Sequence, residues 1–296
     1  MFLDKANREE GKAMRDEFGG YYFKAQSDTQ TVAVIVAYHR SKGSESASVQ
    51  IISDDGVWSA VYPEGGYHKT KKGFRIRLDK NIFTEKGMHL DIHHDGLKVT
   101  GKLRFGALTP IKYDIMGPFA AVPFMECRHT VVSMTHRVDG CICINGERYT
   151  FKNALGYIEG DRGYSFPSVY AWTQCLFDGG SLMLSVADIP IGPVHFTGII
   201  GVVYLDGKEH RIATYLGAKP VSIKGGRLVV KQGKYELTAQ LIEKHPHPLA
   251  APVAGEMSRT IHESASCKAS YKLTKGGKTL LDITSDRATF EYEYPL

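Results

Sequence analysis

The chain divides into short runs of two kinds, alternating ones such as GLKVTGKLRF (Gly96 to Phe105) and continuously apolar ones such as TVAVIVAYH (Thr31 to His39). Both predict β-strands. Turn pairs close the runs at Asp55-Gly56, Asp95-Gly96, Asp139-Gly140, Asn145-Gly146, Asp206-Gly207, Gly225-Gly226 and Gly276-Gly277, residues that tolerate the positive φ of hairpin turns. The clearest hairpin is IIGVVYL-DG-KEHRIATYL, Ile199 to Leu216. Only Asp4 to Phe18, with mixed charges and a weak apolar stripe, predicts a helix. The expected fold class is therefore all-β, antiparallel, with barrels or sandwiches and one short N-terminal helix.

The rhythm breaks over GALTPIKYDIMGPFAAVPF, Gly106 to Phe124, where prolines and small residues predict a long crossing segment or lid. VVSMTHRVDGCICINGERYTF, Val131 to Phe151, pairs with itself and can finish a first barrel. The expected domains are residues 1–150 and 151–296, with the boundary near Thr150.

Composition narrows the classes. At 296 residues with 43% hydrophobic content, the chain is long enough for a real core in one large domain or two small ones. The charged opening MFLDKANREEGK lacks the apolar run of a signal peptide, and no window approaches the roughly 20 apolar residues of a membrane span. A cytoplasmic location is expected. The net charge of +5 is mild and dispersed apart from His68 to Lys72, which argues against nucleic acid as a partner. Five cysteines without CxxC pairs suggest neither a disulfide framework nor a zinc site.

Candidate chemistry concentrates in GYIEGDRGYSFPSVYAWTQC, Gly156 to Cys175. After Pro167 the residues alternate, so Tyr170, Trp172 and Gln174 share one strand face while Ala171, Thr173 and Cys175 share the other. Two aromatics and an amide are what a ligand cavity needs, shape plus a few placed polar groups. Glu159, Asp161 and Arg162 precede them, so at least one carboxylate is expected to reach that cavity. The bland reading stands beside this one: Tyr157, Phe166, Pro167 and Trp172 also stabilise barrel closure wherever they occur, and Arg162 also serves as a solvated charge.

The spacing G-Y-x-E-x-D-x-G-x-S-F-P-x-x-Y-x-W-x-Q, Gly156 to Gln174, resembles the signature of the tocopherol cyclase family, whose usual form reads Y-x-E-K-N-W-G-x-x-F-P-x-x-W-x-W-x-Q. The resemblance continues through Met116 to Phe119, Pro123 to His129, Ser133 to Gly146 and the region of Gly217, covering roughly the central third of the chain. It implies two lipocalin-like antiparallel β-barrels packed together. It also implies an intramolecular lyase or isomerase that closes a ring in a prenylated quinol or other isoprenoid, with no metal and no organic cofactor. Protonating a trisubstituted alkene needs a carboxylic acid in a dry pocket. Asp161 or Glu159 is the expected acid. The hydrophobic ligand would contact Tyr157, Arg162, Phe166, Tyr170, Trp172 and Gln174, and such a substrate implies peripheral membrane contact during uptake. The chain departs from the family at Gly160, Arg162 and Tyr170, where lysine and two tryptophans are usual; the guanidinium would suit an anionic head group.

Glu126, His129 and His136 form a second polar set, expected to contact substrate or to tie the crossing segment to the barrel. Their spacing lacks the geometry of a metal motif such as HExxH. Two function classes remain open: a cofactor-independent cyclase, and a lipocalin-like carrier that holds a hydrophobic ligand without chemistry.

Overall fold

The computed structural model describes residues 16–295 apart from 64–65, 72, 123–124, 192–193, 245–246 and 264. The first eleven strands are β1 (Glu17–Gln26), β2 (Thr31–Ser41), β3 (Ser44–Ser53), β4 (Val57–Tyr62), β5 (Tyr67–Lys69), β6 (Arg75–Leu78), β7 (Asn81–Thr84), β8 (Gly87–His94), β9 (Leu97–Phe105), β10 (Cys127–Ile144) and β11 (Glu147–Gly163). They form one antiparallel sheet in the order β4-β3-β2-β1-β11-β10-β9-β8-β7-β6-β5. The next strands are β12 (Tyr170–Phe177), β13 (Gly180–Ile191), β14 (Val194–Leu205), β15 (Lys208–Ala213), β16 (Lys219–Lys224), β17 (Arg227–Gln232) and β18 (Tyr235–Glu243). With β21 (Cys267–Lys275) and β22 (Lys278–Tyr292) they form a second sheet in the order β15-β14-β13-β12-β22-β21-β18-β17-β16. Between them β19 (His247–Val253) and β20 (Glu256–Glu263) pair only with each other, as a two-stranded strap. Two large antiparallel sheets of this kind are consistent with a double β-barrel of lipocalin-like type.

The expected helix is corrected at its end: Glu17 and Phe18 open β1, and the rest of the expected helix, up to Arg15, lies outside the described residues apart from the coil residue Asp16. Phe18 is buried and Phe23 and Ala25 enter the core, an arrangement that strand geometry serves better than a weakly amphipathic helix. Thr150 lies inside β11, and the chain passes from the first sheet to the second between Gly163 and Tyr170. The Asn145-Gly146 turn joins β10 to β11 with φ of 49° and 97°. Asp139-Gly140, by contrast, is no turn. Gly140 sits at a register shift within β10, where an added Cβ would lie 2.1 Å from the Lys102 carbonyl oxygen, so a bulge takes the place of the expected hairpin.

Central strands of both sheets are apolar on both faces because each sheet is covered twice. On β1, Phe23 and Ala25 join the core of the first sheet, while Tyr22 joins a core between the sheets. On β12, Ala171 and Cys175 join the core of the second sheet, while Tyr170, Trp172 and Leu176 face the intervening one. Burial of each large apolar side chain contributes about 1.5–3 kcal/mol. The crossing segment after β9 is pinned to both sheets. Met134 N–H donates to the Thr109 carbonyl at 2.8 Å, and Arg211 donates to the carbonyls of Tyr113 and Asp114, each at 2.9 Å. Polar ties also cross between the sheets: the buried Lys24 ammonium donates to the Arg287 carbonyl and Thr289 Oγ1, each at 2.9 Å.

Candidate active site

The intervening core holds a cavity with about 190 Å³ of room for the centres of water-sized spheres. One water needs only about 10–15 Å³ by that measure, so the space suits an organic ligand. The first sheet, the second sheet, the crossing segment through Met116 and Phe119, and the strap through Leu249, Met257 and Ile261 all contribute to its wall. The strap is fastened by Arg259, which donates to the carbonyls of Pro167 and Ser168 at 2.9 and 3.1 Å and pairs with Glu293 at 3.0 Å.

Strand alternation on β11 puts Tyr157, Glu159 and Asp161 on one face. His129 lies opposite Asp161 in the β10–β11 register. Its Nδ1 is 2.9 Å from Asp161 Oδ1 and its Nε2 is 2.9 Å from Glu159 Oε2. The second approach is as close as the first but off the hydrogen-bonding direction, so it counts as an ion pair and not as a hydrogen bond. Tyr157 Oη donates to Glu159 Oε2 at 2.6 Å. Burial works against a charge on His129, yet Asp161 and Glu159 hold its pKa well above the ordinary value. The result is an imidazolium between two carboxylates. Beside it the Cys127 thiol, 3.4 Å from Asp161, is pushed up by burial and then by Asp161, which leaves it protonated and a poor nucleophile.

The second sheet supplies the other polar wall. Trp172 pairs with Glu291 in the β12–β22 register, and Tyr170 Oη donates to Glu291 Oε2 at 2.5 Å. Trp172 packs edge-on against Tyr22 at 5.8 Å, and its buried Nε1–H has no partner among the described residues. Burial raises Glu291 to a pKa of about 8; the Tyr170 hydroxyl opposes the rise, and Glu159, Asp161 and Glu293 add to it. His39 also lines the cavity, with Nε2 3.1 Å from Ser48 Oγ, and burial lowers it to about 4. Among the described residues no lysine or arginine lines the cavity.

Of the residues singled out in the sequence, Glu159, Asp161, Phe166, Tyr170, Trp172 and His129 meet at this cavity. The others lie elsewhere. Tyr157 is fully buried behind Glu159. Arg162 is corrected: alternation turns it to the opposite face of β11, where it is exposed near Tyr38, so it offers no cation to an anionic head group. Gln174 is fully buried beyond the cavity, its amide without a partner among the described residues. Glu126 turns to Tyr164 outside the lining, its carboxyl raised by burial. His136 lies outside it too, with Nδ1 3.1 Å from Ser133 Oγ and its ring against Phe105. The expected set Glu126, His129 and His136 is thus not one cluster.

His129, Glu159 and Asp161 instead offer metal-donor atoms within 4.8 Å of one another. Each ring nitrogen already faces a different carboxylate, so a metal ion would have to displace one of these pairings and the ring proton with it. Glu291 escaped the sequence reading altogether. Its only local signal is EYEY, Glu291 to Tyr294, acids alternating with aromatics in a terminal strand.

No family profile matches the chain. Over 121 residues it is 31% identical to the probable chloroplastic tocopherol cyclase of Oryza sativa subsp. japonica, an alignment spanning 38% of this chain and 26% of the rice protein. Among solved structures it is similar to CghA bound to Sch210972, with a TM-score of 0.61 at 11% identity over 94% of this chain and 89% of that one. An AttH of Nitrosomonas europaea aligns with a TM-score of 0.54 at 13% identity over 99% and 100% of the two chains. Kievitone hydratase of Nectria haematococca aligns with a TM-score of 0.54 at 9% identity over 95% and 89%. The solved structures share this fold along nearly the whole chain, and the sequence likeness to the rice protein is confined to about a quarter of that protein's length.

Proposed function

We propose that this chain is a cofactor-independent, tocopherol cyclase-like isomerase that closes a ring in a neutral prenylated quinol or another isoprenoid by proton transfer. The observation that carries the reading is the set of carboxyl groups at the wall of a largely apolar cavity. A carrier needs the apolar wall but has no use for buried ionisable groups, which are costly to place there. The absence of lysine and arginine from the described lining favours a neutral ligand over a carboxylate or phosphate.

The parts have distinct tasks. Phe166, Trp172 and Met116 exclude water from a cationic intermediate, and aromatic faces stabilise such a cation. His129 fixes Asp161 and Glu159 in place so that a carboxylate can take the hydroxyl proton as the ring closes.

Native mass spectrometry of protein from its own host tests the ligand class, and chromatography of a prenylated hydroquinone incubated with the protein tests the reaction. Asp161→Asn should lower turnover by about two to four orders of magnitude, the range expected for lost acid–base catalysis, with binding kept. Glu159→Gln is the matched comparison. A lipid that binds and is never converted would establish the carrier.

A further inference from the structure

We propose that Glu291, held by Tyr170 on the wall contributed by the second sheet, is the proton donor of the site, and that the His129-bridged carboxylates are the proton acceptor. This rests on the cyclase reading above. The two roles need separate groups because the cluster on β11 already holds its proton on His129, between two carboxylates that position it. Among the described residues no lysine or arginine lines the cavity beside Glu291. Glu291 is buried, it lines the cavity, and its carboxyl group accepts a hydrogen bond from the Tyr170 hydroxyl.

The charged and titratable groups around Glu291 come from several strands. Tyr170 comes from β12, Glu159 and Asp161 from β11, and Glu293 from the residue just after β22. Arg259 of β20 is paired with Glu293 and lies 5.8 Å from the centre of the Tyr170 ring. Three carboxylates therefore act on Glu291 through space, and the nearby arginine is taken up by one of them. That field favours the neutral carboxylic acid, the form able to give a proton to an alkene.

The step balances without a co-reactant. Glu291 gives its carboxyl proton to the less substituted alkene carbon. The resulting tertiary cation forms a C–O bond with the quinol oxygen, and that oxygen's proton passes to the Asp161 carboxylate. The product is an isomer of the substrate. After release, the proton returns from Asp161 to Glu291 through water entering the emptied cavity.

The test uses the full chain with a prenylated hydroquinone as probe. Glu291→Gln should lower turnover by about two to four orders of magnitude while retaining binding and thermal stability. Wild-type turnover should fall as pH rises through about 8. Tyr170→Phe removes a hydrogen bond to the charged form, so its alkaline limb should move to higher pH, a change that a merely structural tyrosine would not produce. An infrared difference spectrum between wild type and Glu291→Gln near neutral pH should show loss of a protonated-carboxyl band. Full turnover in Glu291→Gln, or a difference spectrum without that band, overturns the proposal. A wild type that binds but never converts the probe sinks the cyclase reading, and the infrared band then still decides whether Glu291 is held as an acid.

Discussion

His129 and His136 are both buried residues of β10, yet the start and the middle of this strand treat an imidazole in opposite ways. At His136 burial acts without an opposing anion and lowers the pKa to about 4, so the ring is neutral, bonded to Ser133 and packed on Phe105. At His129 burial acts in the same direction, but Asp161 and Glu159 outweigh it and the ring is charged. Burial alone therefore does not mark a functional histidine. What marks one is the neighbouring strand, which presents carboxylates near its end and, at its middle, Gly156, whose missing side chain makes room for the His136 ring.

The sharpest way to break this contrast is to remove the charged ring. His129→Leu leaves two carboxylates with no counter-ion, and the loss should be about 3–5 kcal/mol in denaturant unfolding at pH 7, as for other broken buried pairs. A cost near zero would make the two histidines alike. A smaller effect is expected from acid. His136 and His39 bind a proton more readily unfolded than folded, so stability present above about pH 6.5 is lost as pH falls towards about 4. In His136→Gln that acid-side loss should shrink by up to about 3 kcal/mol, read from urea midpoints at the two pH limits. The smallest effect belongs to the exposed face of β11. Arg162→Trp should shift stability by no more than about 0.5 kcal/mol and leave ligand preference unchanged, checked by unfolding and competition binding. A changed preference would bring Arg162 back to the cavity.

The β-strand rhythm was legible because alternation and turn pairs are local properties. So was the face shared by Glu159 and Asp161, since extended spacing alone puts them together. The partner of these acids was not. Bulges between Val131 and Ser133, between Ser133 and His136, and at Gly140 shift the register of β10, so spacing alone joined His129 to His136 when the fold separates them. Arg162 was expected beside the two acids as a ligand contact, whereas β11 continues through Gly163 and its alternation sends Arg162 to the opposite face. Glu291 became visible only through the pairing of β12 with β22, a long-range contact with no local signature.

Lys24 gives the architecture a further property. Its ammonium is buried on β1 of the first sheet, and two of its hydrogen-bond acceptors belong to Arg287 and Thr289 of β22 in the second. Pulling the halves apart would break both of these buried hydrogen bonds and open the apolar core packed between the sheets. The two sheets are thus tied by buried polar bonds as well as by packing. A chain cut between Gly163 and Tyr170 would be expected to yield two fragments that fold only in each other's presence.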